Sequence, residues 1–229
     1  MAARSPAAQP VERILAASMN PDHMVPLYDI LNELKTNRED YLGSEWLSLY
    51  GFPAYIKTCI DGVRKKVKSG GNPPGFSPAS ACCLAYGIGT LTTHPAIRAL
   101  LDLKTAVDTA ENVDPDELEE LAGFLRNFPL SLPNATTSGN IRRHNIVLPE
   151  KVKTDLSELS GELGTHISTL ALICMAVALH DQPSLLGGYR KDLTMAVEKF
   201  IKRVVLRHNS ARRWYSQIKK GGPVELTFD

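Results

Sequence analysis

The chain has 229 residues, 43% of them hydrophobic and 22% charged, which suits one large core or two small ones and excludes a disordered chain. Its formal net charge of +1 excludes a global cationic field, so any affinity for a polyanion has to be local. Charge is unevenly spread: seven acidic residues and no Lys or Arg lie between Thr105 and Leu125, and eight basic residues with no Asp or Glu lie between Lys199 and Lys220.

From the start, Met1 to Pro10 carries a single Arg and no apolar core, unlike a signal peptide, and residues 1–19 read as an N-terminal arm. An amphipathic helix is expected over Pro21 to Leu34, with Asn20 as its N-cap. Trp46 to Phe52 reads as a short extended segment. After Pro53, the apolar residues Ile56, Ile60, Val63 and Val67 follow the spacing of one helical face, and the helix ends in the basic cluster Arg64, Lys65, Lys66 and Lys68. A Gly/Pro-rich loop, Lys68 to Gly75, leads into a strongly apolar helix, Pro78 to Leu91, and a last helix follows.

The same order then recurs. A helix over Pro115 to Phe128 starts after Asp114. A loop, Pro129 to Gly139, precedes an extended segment, Arg142 to Leu148. After Pro149, Val152, Leu156, Leu159 and Leu163 repeat the helical spacing, and Thr165 to Leu179 is again apolar throughout. The final helix runs through Val204 and Val205 towards Arg213 and is stopped by Gly221, Gly222 and Pro223. Phe52-Pro53-Ala54-Tyr55-Ile56-Lys57-Thr58 and Leu148-Pro149-Glu150-Lys151-Val152-Lys153-Thr154 share Pro, Lys and Thr at an offset of 96. Further collinear matches flank them, Asp102-Leu103 with Asp192-Leu193 and Pro21-Asp22 with Pro115-Asp116. The expected fold class is therefore mainly α, with two homologous helical units of about 95 residues, each carrying one short β-strand. The units are drawn at 20–112 and 113–206, and residues 207–229 form a basic C-terminal tail.

Within the second unit, Arg142-Arg143-His144-Asn145-Ile146-Val147-Leu148-Pro149, a four-turn helix and then Leu163-Gly164-Thr165-His166-Ile167-Ser168 resemble the ribbon-helix-helix family, the Arc- and MetJ-type DNA-binding proteins. The likeness centres on residues 141–180. It implies two strands paired into an antiparallel ribbon that enters the DNA major groove. If Ile146 and Leu148 face the core, Arg143, Asn145 and Val147 face outward as base-reading residues, since Arg pairs with guanine and Asn with adenine. Arg142 would meet a phosphate. Gly164-Thr165 opens the next helix, whose N–H groups suit a phosphate, with hydroxyls from Thr165 and Ser168; helix capping is the other role open to Thr165. At an offset of 96, the first-unit positions matching the three readers are Leu47, Leu49 and Gly51, which cannot hydrogen-bond base edges. On this reading the first strand is either a structural partner only, or second-unit strands pair between chains.

The basic end adds Lys202, Arg203, Arg207, Arg212 and Arg213 as phosphate contacts, with Trp214 and Tyr215 beside them as stacking residues; the alternative is a solvated helix end whose cations complement the helix dipole. No GxxxxGK[ST], HExxH or GxSxG motif occurs. The six histidines, His23, His94, His144, His166, His180 and His208, lack metal-ligand spacing. No catalytic residue, metal or cofactor is expected. Gly87-Ile88-Gly89 inside a helical pattern reads as helix packing. Cys59, Cys82, Cys83 and Cys174 form no CxxC pair, and Leu170 to Leu179, ten residues, is too short to span a bilayer. A reducing, cytoplasmic or nucleoid-associated setting is expected, neither secreted nor membrane-bound. The expected function is a non-enzymatic nucleic-acid-binding protein, with DNA ahead of RNA, acting as a regulator or accessory factor. Two alternatives stand beside it: a self-assembling nucleoprotein that coats nucleic acid regardless of sequence, and a helical protein–protein interaction adaptor. A homo-oligomer fits the first two.

Overall fold

The computed structural model of the chain describes residues 13, 15–16, 19, 26–36, 41, 43–66, 73–111, 113–126, 140–181 and 189–220. Among the described residues the protein is mainly helical, with eight helices and one two-stranded sheet. In chain order these are α1 (Leu27–Thr36), β1 (Glu45–Pro53), α2 (Ala54–Lys66), α3 (Phe76–Thr93), α4 (Pro95–Asp108), α5 (Pro115–Arg126), β2 (Asn140–Leu148), α6 (Glu150–Glu162), α7 (Ile167–His180) and α8 (Arg190–Ile218). A strand followed by three helices thus occurs twice, as β1-α2-α3-α4 and, after α5, as β2-α6-α7-α8. The N-terminal arm beyond its few described positions, most of the expected Lys68 to Gly75 loop, the Pro129 to Gly139 connector and the stop at Gly221 to Pro223 lie outside the described residues.

The local reasons are those of the sequence pattern. Proline stands at the strand–helix junction in both runs, where a missing N–H costs nothing. Behind it, α2 buries Tyr55, Ile56, Cys59, Ile60 and Val63, and α6 buries Val152, Leu156 and Leu159. Both are one-sided helices. By contrast α3 and α7 are apolar nearly all round, as a helix enclosed on every side must be. They buttress each other at the centre of the core. Gly87 makes this approach possible: a Cβ there would collide with the carbonyl of Cys174. Among the described residues no single helix is long and apolar enough to cross a membrane. The α6–α7 pair reaches that length together, but it is bent by 107° and α7 is packed against α3 and α8. All four cysteines are buried free thiols.

The two strands pair with each other, antiparallel and within one chain, from Glu45 opposite Leu148 to Pro53 opposite Asn140. A lone ribbon is only marginally stable, and here the helices hold it by crossing over. The Tyr50 N–H donates to Ser168 Oγ of α7 (2.9 Å), and the Val147 N–H donates to Ser77 Oγ of α3 (3.1 Å). Each strand is thereby tied to the apolar helix of the other run. Lys153 of α6 pairs with Glu45 across the ribbon's end (2.6 Å).

The final helix runs through Val204 and Val205 and past Arg213, in line with the sequence pattern: it is continuous for 29 residues, Arg190–Ile218. Its inner stripe is Leu193, Ala196, Phe200, Val204, Arg207, Ala211, Trp214 and Ile218, all buried, at the three- and four-residue spacing of one helix face.

Candidate nucleic-acid interface

Strand residues alternate between the two faces of a ribbon. In β2, Ile146 and Leu148 are buried and Arg143 and Asn145 are exposed, with Val147 half-buried on the same outer face. In β1, Leu47 and Leu49 are buried, so they are core residues and not the outward counterparts expected from the offset of 96. The outward residues are Trp46, Ser48 and Tyr50. The physical cause lies at Gly51. Its φ of 61° is a left-handed conformation that suits glycine, and the alternation breaks there: Tyr50 and Gly51 are both exposed, then Phe52 and Pro53 are both buried. A slip of one position moves every side chain of a strand to the opposite face.

The outer face is thus built from three cross-strand pairs: Trp46 opposite Val147, Ser48 opposite Asn145 and Tyr50 opposite Arg143. Its middle is a hydrogen-bonded cluster. Ser48 Oγ donates to Asn145 Oδ1 (3.0 Å). Arg143 donates through Nε to Asn145 Oδ1 (3.2 Å) and through Nη2 to Ser48 Oγ (2.9 Å). The Arg143 guanidinium lies 5.8 Å from the centre of the Tyr50 ring. Trp46 and Tyr50 are 67% and 57% exposed, unusual for large aromatics on a folded surface. Tyr41, outside the ribbon, donates its hydroxyl to the Val147 carbonyl.

Beneath this face His144 points inward, its ring 4.7 Å from that of Phe76 and 5.2 Å from that of Phe52. Burial, helped by the nearby Lys57 ammonium, lowers its pKa below the ordinary 6.5. It is a packing residue of the ribbon's underside.

The other expected contacts are placed differently. Arg142 lies in β2, and its side chain falls outside the described residues. Ser168 is 2% exposed, with its hydroxyl accepting the Tyr50 N–H; it anchors the ribbon and is not presented to a ligand. Gly164 and Thr165 close α6 instead of opening α7: the Thr165 N–H donates to the Ser160 carbonyl (3.0 Å). Gly164 has a φ of 61° against the Arg126 carbonyl, where no side chain fits. The Thr165 hydroxyl is buried without a hydrogen-bond partner among the described residues. The cap of α7 is His166, whose ring nitrogen accepts the Ser168 N–H (3.2 Å).

On α8, Lys202, Arg203, Arg212 and Arg213 are exposed. Arg212 and Arg213 line an open groove of about 470 Å³ with Asn209, Ser216, Gln217 and Lys220. Arg207 is instead 5% exposed. Its guanidinium lies 4.7 Å from the centre of the Phe124 ring, and burial pulls its pKa down to about 10. Trp214 is 8% exposed and packs on Phe124 at 6.0 Å. Tyr215 donates its hydroxyl to the Ala106 carbonyl (3.0 Å). Trp214 is thus turned into the core, whereas Tyr215 is half-buried and the Lys219 ammonium lies 4.6 Å from the centre of its ring. Sequence reasoning placed Trp46 in the right segment but missed Ser48 and Tyr50 as surface groups. Among the described residues no group of three or more His, Cys, Asp or Glu side chains could hold a metal ion.

Comparison with known proteins gave no match to a family model, to a curated protein or to a solved structure.

Proposed function

We propose that the protein binds nucleic acid without catalysing a reaction, and that the outer face of the β1–β2 ribbon is the contact surface. The two strand-and-helix runs are read here as copies of one unit, paired within the chain as a ribbon-helix-helix-like pseudo-dimer. The observation that carries the reading is the Arg143–Ser48–Asn145 cluster, exposed on a two-stranded ribbon whose own edge groups are tied down by Ser77 and Ser168. A B-DNA major groove admits such a ribbon, and Arg and Asn have the donor and acceptor geometry for guanine and adenine edges. Lys202, Arg203, Arg212 and Arg213 would supply sequence-independent attraction to phosphates.

A second reading has its own support. Trp46 and Tyr50, exposed beside Arg143, are the groups on which unpaired bases stack, as a coating protein of single strands would need. Filter binding of the full chain to duplex DNA, single-stranded DNA and RNA across a salt series separates the two. The favoured reading expects duplex DNA to bind best, and Arg143→Ala to cost about 1–3 kcal/mol on a preferred duplex. Preference for single strands that is lost with Trp46→Ala and Tyr50→Ala would support the second. No salt-sensitive binding to any of the three would remove both and leave a protein-binding role.

A further inference from the structure

The ribbon's two strands are different, and their register says how the difference is arranged in space. Ser48 stands opposite Asn145 midway between the two cross-over bonds, from the Tyr50 N–H to Ser168 and from the Val147 N–H to Ser77. Those bonds make Tyr50 and Val147 equivalent positions, because each is the strand residue held by the apolar helix of the other run. The remaining outward pair, Trp46 and Arg143, is then equivalent as well. Around the Ser48–Asn145 centre, Arg143 thus has Trp46 as its counterpart, and Val147 has Tyr50. One end of the outer face is the Tyr50–Arg143 pair, cationic and rich in donors. The other end is the Trp46–Val147 pair, which is apolar apart from the indole N–H.

We propose that this ribbon recognises a DNA site lacking twofold symmetry, bound by one chain, with its two halves read by different chemistry. The inference rests on the duplex reading above. An antiparallel ribbon lies along the groove with its ends over successive base pairs. The Arg143 end can donate to guanine O6 and N7 and, through Asn145, meet adenine; the Trp46–Val147 end has a single donor, the indole N–H, and otherwise suits apolar matter, which in the major groove is the methyl group of thymine. Two identical strands from two chains would have to read the same half-site twice. Pairing inside one chain removes that requirement.

Selection of bound duplexes from a randomised pool tests this directly, using the wild-type chain, the single variant Arg143→Ala and the triple variant Trp46→Arg, Ser48→Asn, Tyr50→Val. All changed side chains are exposed or part-exposed, and thermal melting checks that each variant is folded. The wild-type consensus is expected to be non-palindromic, G-containing on one side and T-containing on the other, with one chain per site by sedimentation. Arg143→Ala is expected to erase sequence preference in one half only. The triple variant, whose outer faces are alike, is expected to select a palindrome. A palindromic wild-type consensus, or equal loss in both halves with Arg143→Ala, would overturn the inference while leaving duplex binding intact. Failure to enrich any duplex would overturn the duplex reading and this inference with it.

Discussion

Two regions of the molecule combine cations with aromatic side chains: the ribbon, with Arg143 beside Tyr50 and Trp46, and helix α8, with Arg207, Arg212 and Arg213 beside Trp214 and Tyr215. In sequence they look alike. In the fold they are opposites. The ribbon turns its aromatics outward and braces Arg143 on the surface, whereas α8 turns Trp214 and Arg207 inward onto Phe124 and keeps Arg212 and Arg213 in water. Adjacency along a chain does not make a binding surface; the period of the backbone decides which neighbours share a face.

The sharpest way to break this contrast is Trp214→Ala. Removing a buried indole is expected to destabilise the protein by about 3–5 kcal/mol, read from the denaturant midpoint, with nucleic-acid affinity unchanged in the protein that remains folded. Unaltered stability with lost affinity would put Trp214 on the surface after all. Arg143→Ala is expected to behave in reverse: affinity for a preferred duplex falls roughly five- to 150-fold, and stability moves by no more than about 0.5 kcal/mol. Arg212→Ala and Arg213→Ala come next. Each is expected to reduce the slope of log affinity against log salt by about 0.9 on every duplex alike. A loss confined to one sequence would make α8 a reader and not an electrostatic support.

The smallest effect concerns the ribbon's underside. The folded pKa of His144 lies below its unfolded value of 6.5, so between the two the unfolded chain binds more protons and stability rises with pH. The contribution is fully present above the unfolded value and is lost as pH falls through the folded one. Melting curves of the wild type and of His144→Gln are expected to converge in pH dependence near neutrality and to separate on acidification.

The second strand was legible because its alternation is uninterrupted: burying Ile146 and Leu148 sends Arg143, Asn145 and Val147 the other way. The first strand was misread because the Pro53 and Pro149 junctions align at 96, and nothing in composition reveals that Gly51 shifts the phase just before its proline. The helices α2 and α6 followed directly from apolar spacing and from Pro at their starts, and α3 and α7 from their long apolar runs. The α6–α7 turn did not, because Thr after Gly reads equally well as a helix end or a helix beginning until Arg126 is seen filling the space a Gly164 side chain would need. Arg207 and Trp214 were legible in principle. They fall in step with Leu193, Ala196, Phe200, Val204, Ala211 and Ile218, and the helical period outweighs charge and aromaticity in deciding which face they share.

Ser48 and Asn145 meet although they are 97 positions apart. Joining chain ends over such a distance costs on the order of 4 kcal/mol in entropy, and it has to be met by α3 and α7 closing together. Once it is met, assembly of the finger is a first-order event, indifferent to dilution, and a fragment holding either strand alone has nothing to zip against. The fraction of chains whose two strands are paired is therefore the same at low and at high chain concentration.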